Sequence, residues 1–203
     1  MRRHLLRVGL LLALTGAAPA SAHAQPRSSG LGSTRGTDLG VFVGASASPE
    51  GTDLDLAGIA GWQMTRWIAI EGRGAWVLRR PDDDAFSADL SALVNVVPRQ
   101  PITPYVGAGL GLYHTAFASA DSPMSGFYRR RIGFREGPAR SWSFTDPALR
   151  LTAGLDVTTR RHLTIRPEVS ALVVWRGGHS QAMTIVGVRF GYRFEDRPVT
   201  PTR

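Results

Sequence analysis

The sequence predicts an all-β protein, an eight-stranded antiparallel up-and-down transmembrane β-barrel. Three observations carry that expectation. The first is alternation. In residues 182–194, Val186, Val188, Phe190, Tyr192 and Phe194 share one parity, and Gly187, Arg189, Gly191 and Arg193 share the other. Alternate residues of a strand face opposite sides, so this run has one apolar face and one small or cationic face. A barrel in lipid turns the apolar face outward and keeps its arginines in a polar lumen. The second is an export signal at the start of the chain. The third is that no later apolar run is long enough to cross a bilayer as a helix, while seven further segments repeat the alternation.

Residues 1–24 have the three parts of a secretory signal. Arg2, Arg3 and Arg7 form a basic start, residues 8–14 an apolar run, and Ala22-His23-Ala24 an A-x-A cleavage site before Gln25. The apolar run falls short of the roughly 20 residues a spanning helix needs. No cysteine follows the site, which excludes a lipoprotein anchor. The expected divisions are a signal over 1–24, a flexible segment over 25–37, the barrel over 38–194 and a tail over 195–203.

About 180 residues remain after cleavage, enough for one domain. With no cysteine, neither disulfides nor thiolate metal sites hold the fold. Every basic residue is arginine; lysine is absent. Three arginines lie in the signal, which takes the formal charge from +8 to +5. The rest are scattered through strands and loops rather than gathered on one patch, which argues against nucleic acid as a partner, as export does. The histidines are too dispersed for a metal site, and no cofactor is expected.

Residues 25–37, rich in Gly, Ser and Arg, carry no periodicity. The first strand is expected over 38–48, with Leu39, Val41, Val43 and Ala45 opposite Gly40, Phe42, Gly44 and Ser46. Ser48-Pro49-Glu50-Gly51-Thr52 has turn chemistry. The second strand, 53–63, sets Leu54, Leu56, Gly58, Ala60 and Trp62 outward, and Met64-Thr65-Arg66 turns the chain. The third, 67–78, opposes Ile68, Ile70, Gly72, Gly74, Trp76 and Leu78 to Glu71 and Arg73. A charged loop over 79–85 leads to the fourth, 86–97, with Phe86, Ala88, Leu90, Ala92, Val94 and Val96 outward and Asp89 and Asn95 inward. Residues 98–104 hold three prolines, which lack the ladder donor, so they are expected to lie outside the strands.

The fifth strand, 105–116, opposes Val106, Ala108, Leu110 and Leu112 to Gly107, Gly109 and Gly111. A dinucleotide fingerprint would need a following helix and a third glycine at the right offset, and the chain has neither. These glycines line one face of a strand. Residues 117–146 form the longest irregular stretch. The sixth strand, 147–158, opposes Leu149, Leu151, Ala153, Leu155 and Val157 to Arg150, Thr152, Gly154 and Asp156. The seventh, 162–175, sets Leu163, Ile165, Val169, Ala171, Val173 and Trp175 against Thr164, Arg166, Glu168 and Ser170. Pro167 falls on the outward parity, where a bulge is expected. A short loop over 176–181 precedes the closing strand.

Eight is an even count, as an up-and-down barrel with both termini on one side requires. The long loop after the fifth strand marks the external end, and the connections after the second, fourth and sixth strands mark the periplasmic end. Outward aromatics collect at both ends: Trp62, Tyr192 and Phe194 at the periplasmic one, Trp76, Phe86 and Trp175 at the external one.

The closing strand ending in Phe194, the run Pro104-Tyr105-Val106-Gly107-Ala108-Gly109-Leu110-Gly111 and the run Ala69-Ile70-Glu71-Gly72-Arg73-Gly74 resemble the OmpA/OmpX-like small outer-membrane β-barrel family. The resemblance covers about residues 38–194 and is specific for architecture. It implies a bacterial outer-membrane location, a structural or surface-interaction role carried by external loops, and handling by the barrel assembly machinery. In one respect the chain departs from the family: residues 195–203 follow the closing aromatic, which is usually terminal.

Glu71, Arg73, Asp89, Arg150, Asp156, Arg166, Glu168, Arg189 and Arg193 all fall on the inward parity. An eight-stranded barrel is barely wide enough for its own side chains, so these charges are expected to form a salt-bridge network that plugs it. The alternative is a narrow, porin-like pore. A third possibility is a lipid A-modifying enzyme, since some such barrels deacylate lipid A with an outward Ser–His pair. His114-Thr115 and His179-Ser180 do not match that pattern, and the chain is expected not to be an enzyme. A soluble ligand carrier would place its apolar side chains inside and its charges outside.

Arg129, Arg130, Arg131, Arg135 and Arg140 gather in the long loop. Guanidinium groups match phosphate through a planar, charge-assisted fork, so an anionic lipid, lipopolysaccharide included, or an acidic partner surface is the expected contact. Trp142 and Phe144 are expected at headgroup depth beside them. The barrel is expected to be a monomer.

Overall fold

The computed structural model describes residues 36–49, 51–79, 83–97, 102–117, 126–129, 142–160 and 162–195. The expected signal, most of the flexible segment and the tail beyond Glu195 lie outside them. Eight strands follow in chain order: β1 (Gly36–Ser48), β2 (Gly51–Gln63), β3 (Ile68–Leu78), β4 (Asp83–Asn95), β5 (Ile102–Phe117), β6 (Trp142–Arg160), β7 (Leu163–Arg176) and β8 (His179–Glu195). One helical turn, α1 (Gly126–Arg129), lies between β5 and β6. Each strand pairs antiparallel with the next, and β8 pairs with β1 to close the barrel. Closure leaves no edge, so every strand has a ladder on both sides.

The pleat sorts the side chains as the alternation predicts. Leu90 and Leu110 are 63% and 70% exposed on the outer wall, while Arg189 and Arg150 are 0% and 2% exposed inside. This is the reverse of a soluble carrier. An apolar wall around buried charges suits hydrocarbon as the surrounding medium.

Several boundaries differ from expectation. Pro104 belongs to β5, opposite Leu155, and its carbonyl accepts Val96 N–H at 2.8 Å. A strand residue's N–H and C=O point to the same side. The donor missing from Pro104 therefore faces β4, where that ladder has already ended at Asn95↔Tyr105. Pro167 causes no bulge. It stays in register with Val188 of β8, and toward β6 the ladder lapses between Gly154↔Glu168 and Val157↔Ile165 at an unchanged offset. The register shift falls at Thr158/Arg160 instead. The β7–β8 turn is Gly177-Gly178, with φ of +48° and +84°, a left-handed pair that glycine adopts at little cost. His179 and Ser180 thus lie in β8, opposite Arg176 and Trp175, and not in a loop.

Residues 142–146 belong to β6 and not to the long loop; they extend the β5–β6 ladder to Phe117↔Trp142. The connections β1–β2 and β7–β8, on the expected external side, are as tight as those at the other end. Length separates the two ends of the barrel at the β5–β6 connection alone.

Candidate functional site

Among the described residues, the lumen is where charged side chains from non-adjacent strands converge, and it is filled in two levels. Its first level is ionic. Arg189 of β8, fully buried, donates to both Glu71 of β3 and Asp38 of β1. Arg166 of β7 donates to the same Glu71 oxygen at 2.5 Å and lies 4.3 Å above the ring of Tyr105. Arg73 of β3 splits its fork between Asp55 of β2 at 3.0 Å and Glu168 of β7 at 2.9 Å, with the Phe42 ring 4.1 Å beneath it. Glu168 also accepts from Tyr105 Oη at 2.9 Å and Ser170 Oγ at 3.1 Å.

Arg150 Nε donates to Asp89 Oδ2 at 2.9 Å, and Ser91 Oγ donates to Asp89 Oδ1 at 3.0 Å. Nearer the end that holds both barrel termini, Arg193 meets Asp156 at 2.9 Å. The nine inward charges singled out in the sequence thus fall into four groups, around Glu71, Arg73, Asp89 and Asp156. Buried ions must be paired to be tolerated, and each of these nine has an oppositely charged partner. Arg150 Nη1 and Nη2 and Asp55 Oδ2 are buried without a hydrogen-bond partner among the described residues.

The second level is apolar, which the charge pattern does not announce. Ile59, Val77, Tyr113, Leu172, Val174, Met183 and Ile185 are buried together with Phe42 and several alanines. The inward parity of β7 passes from Glu168 and Ser170 to Leu172 and Val174, so polar lining gives way to packed hydrocarbon along a single strand. Toward the mouth on the β5–β6 connection side, a cavity of about 10 Å³ remains between Arg79, Tyr113, Tyr128, Val174, Gln181 and Met183. That is at most the room of one water.

Above it, α1 places Tyr128, 3% exposed, over Phe117 at 5.6 Å and stacked on Phe144 at 5.1 Å and 16°. Phe144 sits on the inward parity of β6, under Arg176 at 4.2 Å, so it caps the mouth rather than resting among lipid headgroups. Arg176 is held by both oxygens of Asp146 at 3.0 and 3.1 Å. Arg79 reaches Tyr113 Oη at 2.8 Å and Asp53 at 3.4 Å.

Of the loop arginines, Arg129 ends α1 with its side chain outside the described set, and Arg130, Arg131, Arg135 and Arg140 lie wholly outside it. The side chain of Trp142 is likewise not described. Residues that the charge list passed over are Asp38, Asp55, Phe42, Tyr105 and Tyr113. All five carry the inward parity, which was the available signal.

The girdle aromatics Trp62, Trp175, Tyr192 and Phe194 are exposed on the outer wall, and Trp76 and Phe86 pack edge to face at 5.0 Å. His114 and Thr115 point to opposite sides: Thr115 is buried in the lumen, and His114 faces outward with Nδ1 2.8 Å from Thr145 Oγ1.

No protein-family model and no curated protein sequence matches the chain. Solved structures do. Neisserial surface protein A aligns at 14% identity with a TM-score of 0.55, covering 80% of this chain and 98% of its own. The N-terminal β-barrel domain of Pseudomonas aeruginosa OprF aligns at 13% identity with a TM-score of 0.51, covering 76% of this chain and 97% of its own. At such identities the likeness concerns the backbone, and the closed antiparallel order of eight strands is what is shared. The chain has the fold of the small eight-stranded outer-membrane β-barrels.

Proposed function

We propose that this chain is a bacterial outer-membrane protein whose barrel is a closed scaffold, with a structural or surface-interaction role carried by the loop between β5 and β6. The observation that supports this is the filled lumen: an apolar plug above a paired ionic level, inside a wall that suits lipid. The pore reading needs a water path, and the 10 Å³ cavity is too small to form part of one.

The hydrolase reading needs a nucleophile, an imidazole and a supporting carboxylate. His114 has a threonine hydroxyl at Nδ1 and no described carboxylate behind it. On the loop, Arg129, Arg130, Arg131, Arg135 and Arg140 are proposed to engage anionic lipid, lipopolysaccharide where present, or an acidic partner surface. Assembly by the barrel machinery and a monomeric state belong to the same proposal.

Three measurements test it. Heat-modifiable mobility after detergent extraction is expected, and its absence overturns the membrane barrel. Planar-bilayer recordings of the refolded protein should then show no discrete openings; stable unit conductance favours the pore. Replacing Arg129, Arg130 and Arg131 by Ser should leave folding intact and weaken binding to anionic vesicles, most at low salt. Equal binding by both proteins at low salt removes the loop from the proposal.

A further inference from the structure

We propose that the outer wall carries a site for the phosphate of an anionic lipid headgroup, built from His114 on β5 and Thr145 on β6. On β5 the outward positions from Ile102 to Leu112 are all apolar, and His114 is the next. At about 3.3 Å per residue and a tilt of roughly 40°, that stretch stands about 25 Å tall, the height of the apolar band of such barrels. His114 therefore stands at the edge of the band, at headgroup depth. Its neighbour strand ends its band at the same step. The outward positions of β6 from Pro147 to Val157 are apolar, and Thr145 lies just beyond.

Among strand residues whose side chains are described, His114 is the one basic side chain on the outward parity. A charge placed inside the band would be costly; at its rim it meets headgroups instead. The 2.8 Å contact with Thr145 Oγ1 fixes the ring plane and uses Nδ1, which leaves Nε2 to face an external acceptor. In the imidazolium both nitrogens donate. Nδ1–H then goes to Thr145 Oγ1, freeing the threonine proton, and Nε2–H and Thr145 O–H together present two donors to one phosphate. Phe86, directly across from His114 on β4, and Trp76 beside it form an apolar shelf for the lipid's chain.

The groups facing His114 are few. From β4 it is Phe86, and from β6 they are Thr145 and Ser143; the next register position of the same parity on β4 holds Asp84, opposite Ala116. Asp84 is the one carboxylate at a neighbouring position of the same parity, Asp146 beside Thr145 being turned into the lumen, and the test separates it.

The inference rests on the membrane-barrel reading, so insertion is checked first by heat-modifiable mobility; failure there overturns both, whereas an inserted barrel without the lipid step below overturns this inference alone. The inserted protein, in phosphatidylcholine vesicles, is given spin-labelled phosphatidylglycerol, and its preference over spin-labelled phosphatidylcholine is measured at about pH 5 and about pH 8, between which an imidazole changes charge. The preference should be about two- to fivefold greater at the lower pH, the range of an exposed ion pair. His114→Asn should abolish that step and Thr145→Val should reduce it, while His162→Asn, at the opposite rim, should leave it unchanged.

A step that survives in His114→Asn places the titrating charge elsewhere, Asp84 included, and overturns the proposal. So does an equal step contributed by His162, which would mark a general surface effect. Displacement of the labelled lipid by glycerol phosphate at equal concentration would make the site one for soluble phosphate, and the lipid assignment would fall.

Discussion

Arg73 on β3 donates Nη1 to Glu168 Oε1 on β7 at 2.9 Å, joining across the lumen two strands that share no ladder. Breaking one side of such a buried pair leaves an uncompensated ion, at a cost of about 3–5 kcal/mol. Arg73→Ala should therefore lower the stability of the barrel by about that amount. The double replacement Arg73→Leu with Glu168→Leu should cost less than the sum of the two single ones. Urea unfolding of the vesicle-inserted protein measures both, and additive losses would show that the two side chains do not act as a pair.

Glycines on the two faces should respond oppositely to alanine. A Cβ at outward Gly58 meets nothing within 4 Å, so Gly58→Ala should stabilise by about 0.4–1 kcal/mol through the unfolded chain. A Cβ at Gly154 would lie 2.5 Å from the Pro167 carbonyl and 2.6 Å from Tyr105 Oη. Gly154→Ala should destabilise by about 1–3 kcal/mol as the lumen is forced apart. Unfolding midpoints of the two variants check the opposite signs.

Leu172 is 2% exposed within the apolar level. Leu172→Ala should cost about 2–5 kcal/mol and still leave the protein silent in planar bilayers, because the ionic level beneath remains paired. Stable openings in this variant would show that the apolar level alone holds the lumen shut.

Tyr128 docks α1 over the mouth through Phe117 and Phe144. Tyr128→Ala should speed amide exchange in Gly126–Arg129 while leaving barrel amides protected, since Tyr128 is the buried one of the turn's described side chains. Slow exchange at α1 in the variant would show that something else holds it.

Much of this architecture could be read from alternation. A period of two states which face a residue takes, so Leu90 outward and Arg189 inward needed no coordinates. It does not state partners. Those depend on how the barrel staggers its strands, which is why Arg189 meeting both Asp38 and Glu71 was not foreseeable from parity. The apolar level was hidden for another reason. Around Leu172-Val173-Val174 both parities are apolar, so alternation fades where the lumen is packed with hydrocarbon. The prolines misled because a missing donor matters only on the side to which it points. At Pro104 that side has no ladder left, and at Pro167 a local lapse absorbs it.

The position of Arg189 bears on the order in which the chain completes itself. Its guanidinium arrives with the last strand, while its acids belong to the first and third. A nascent sheet of seven strands would hold Asp38 with no described cation and Glu71 with Arg166 alone. The seam between β1 and β8 is thus sealed by neutralisation as well as by hydrogen bonds, and the closing strand brings the counter-charge with it.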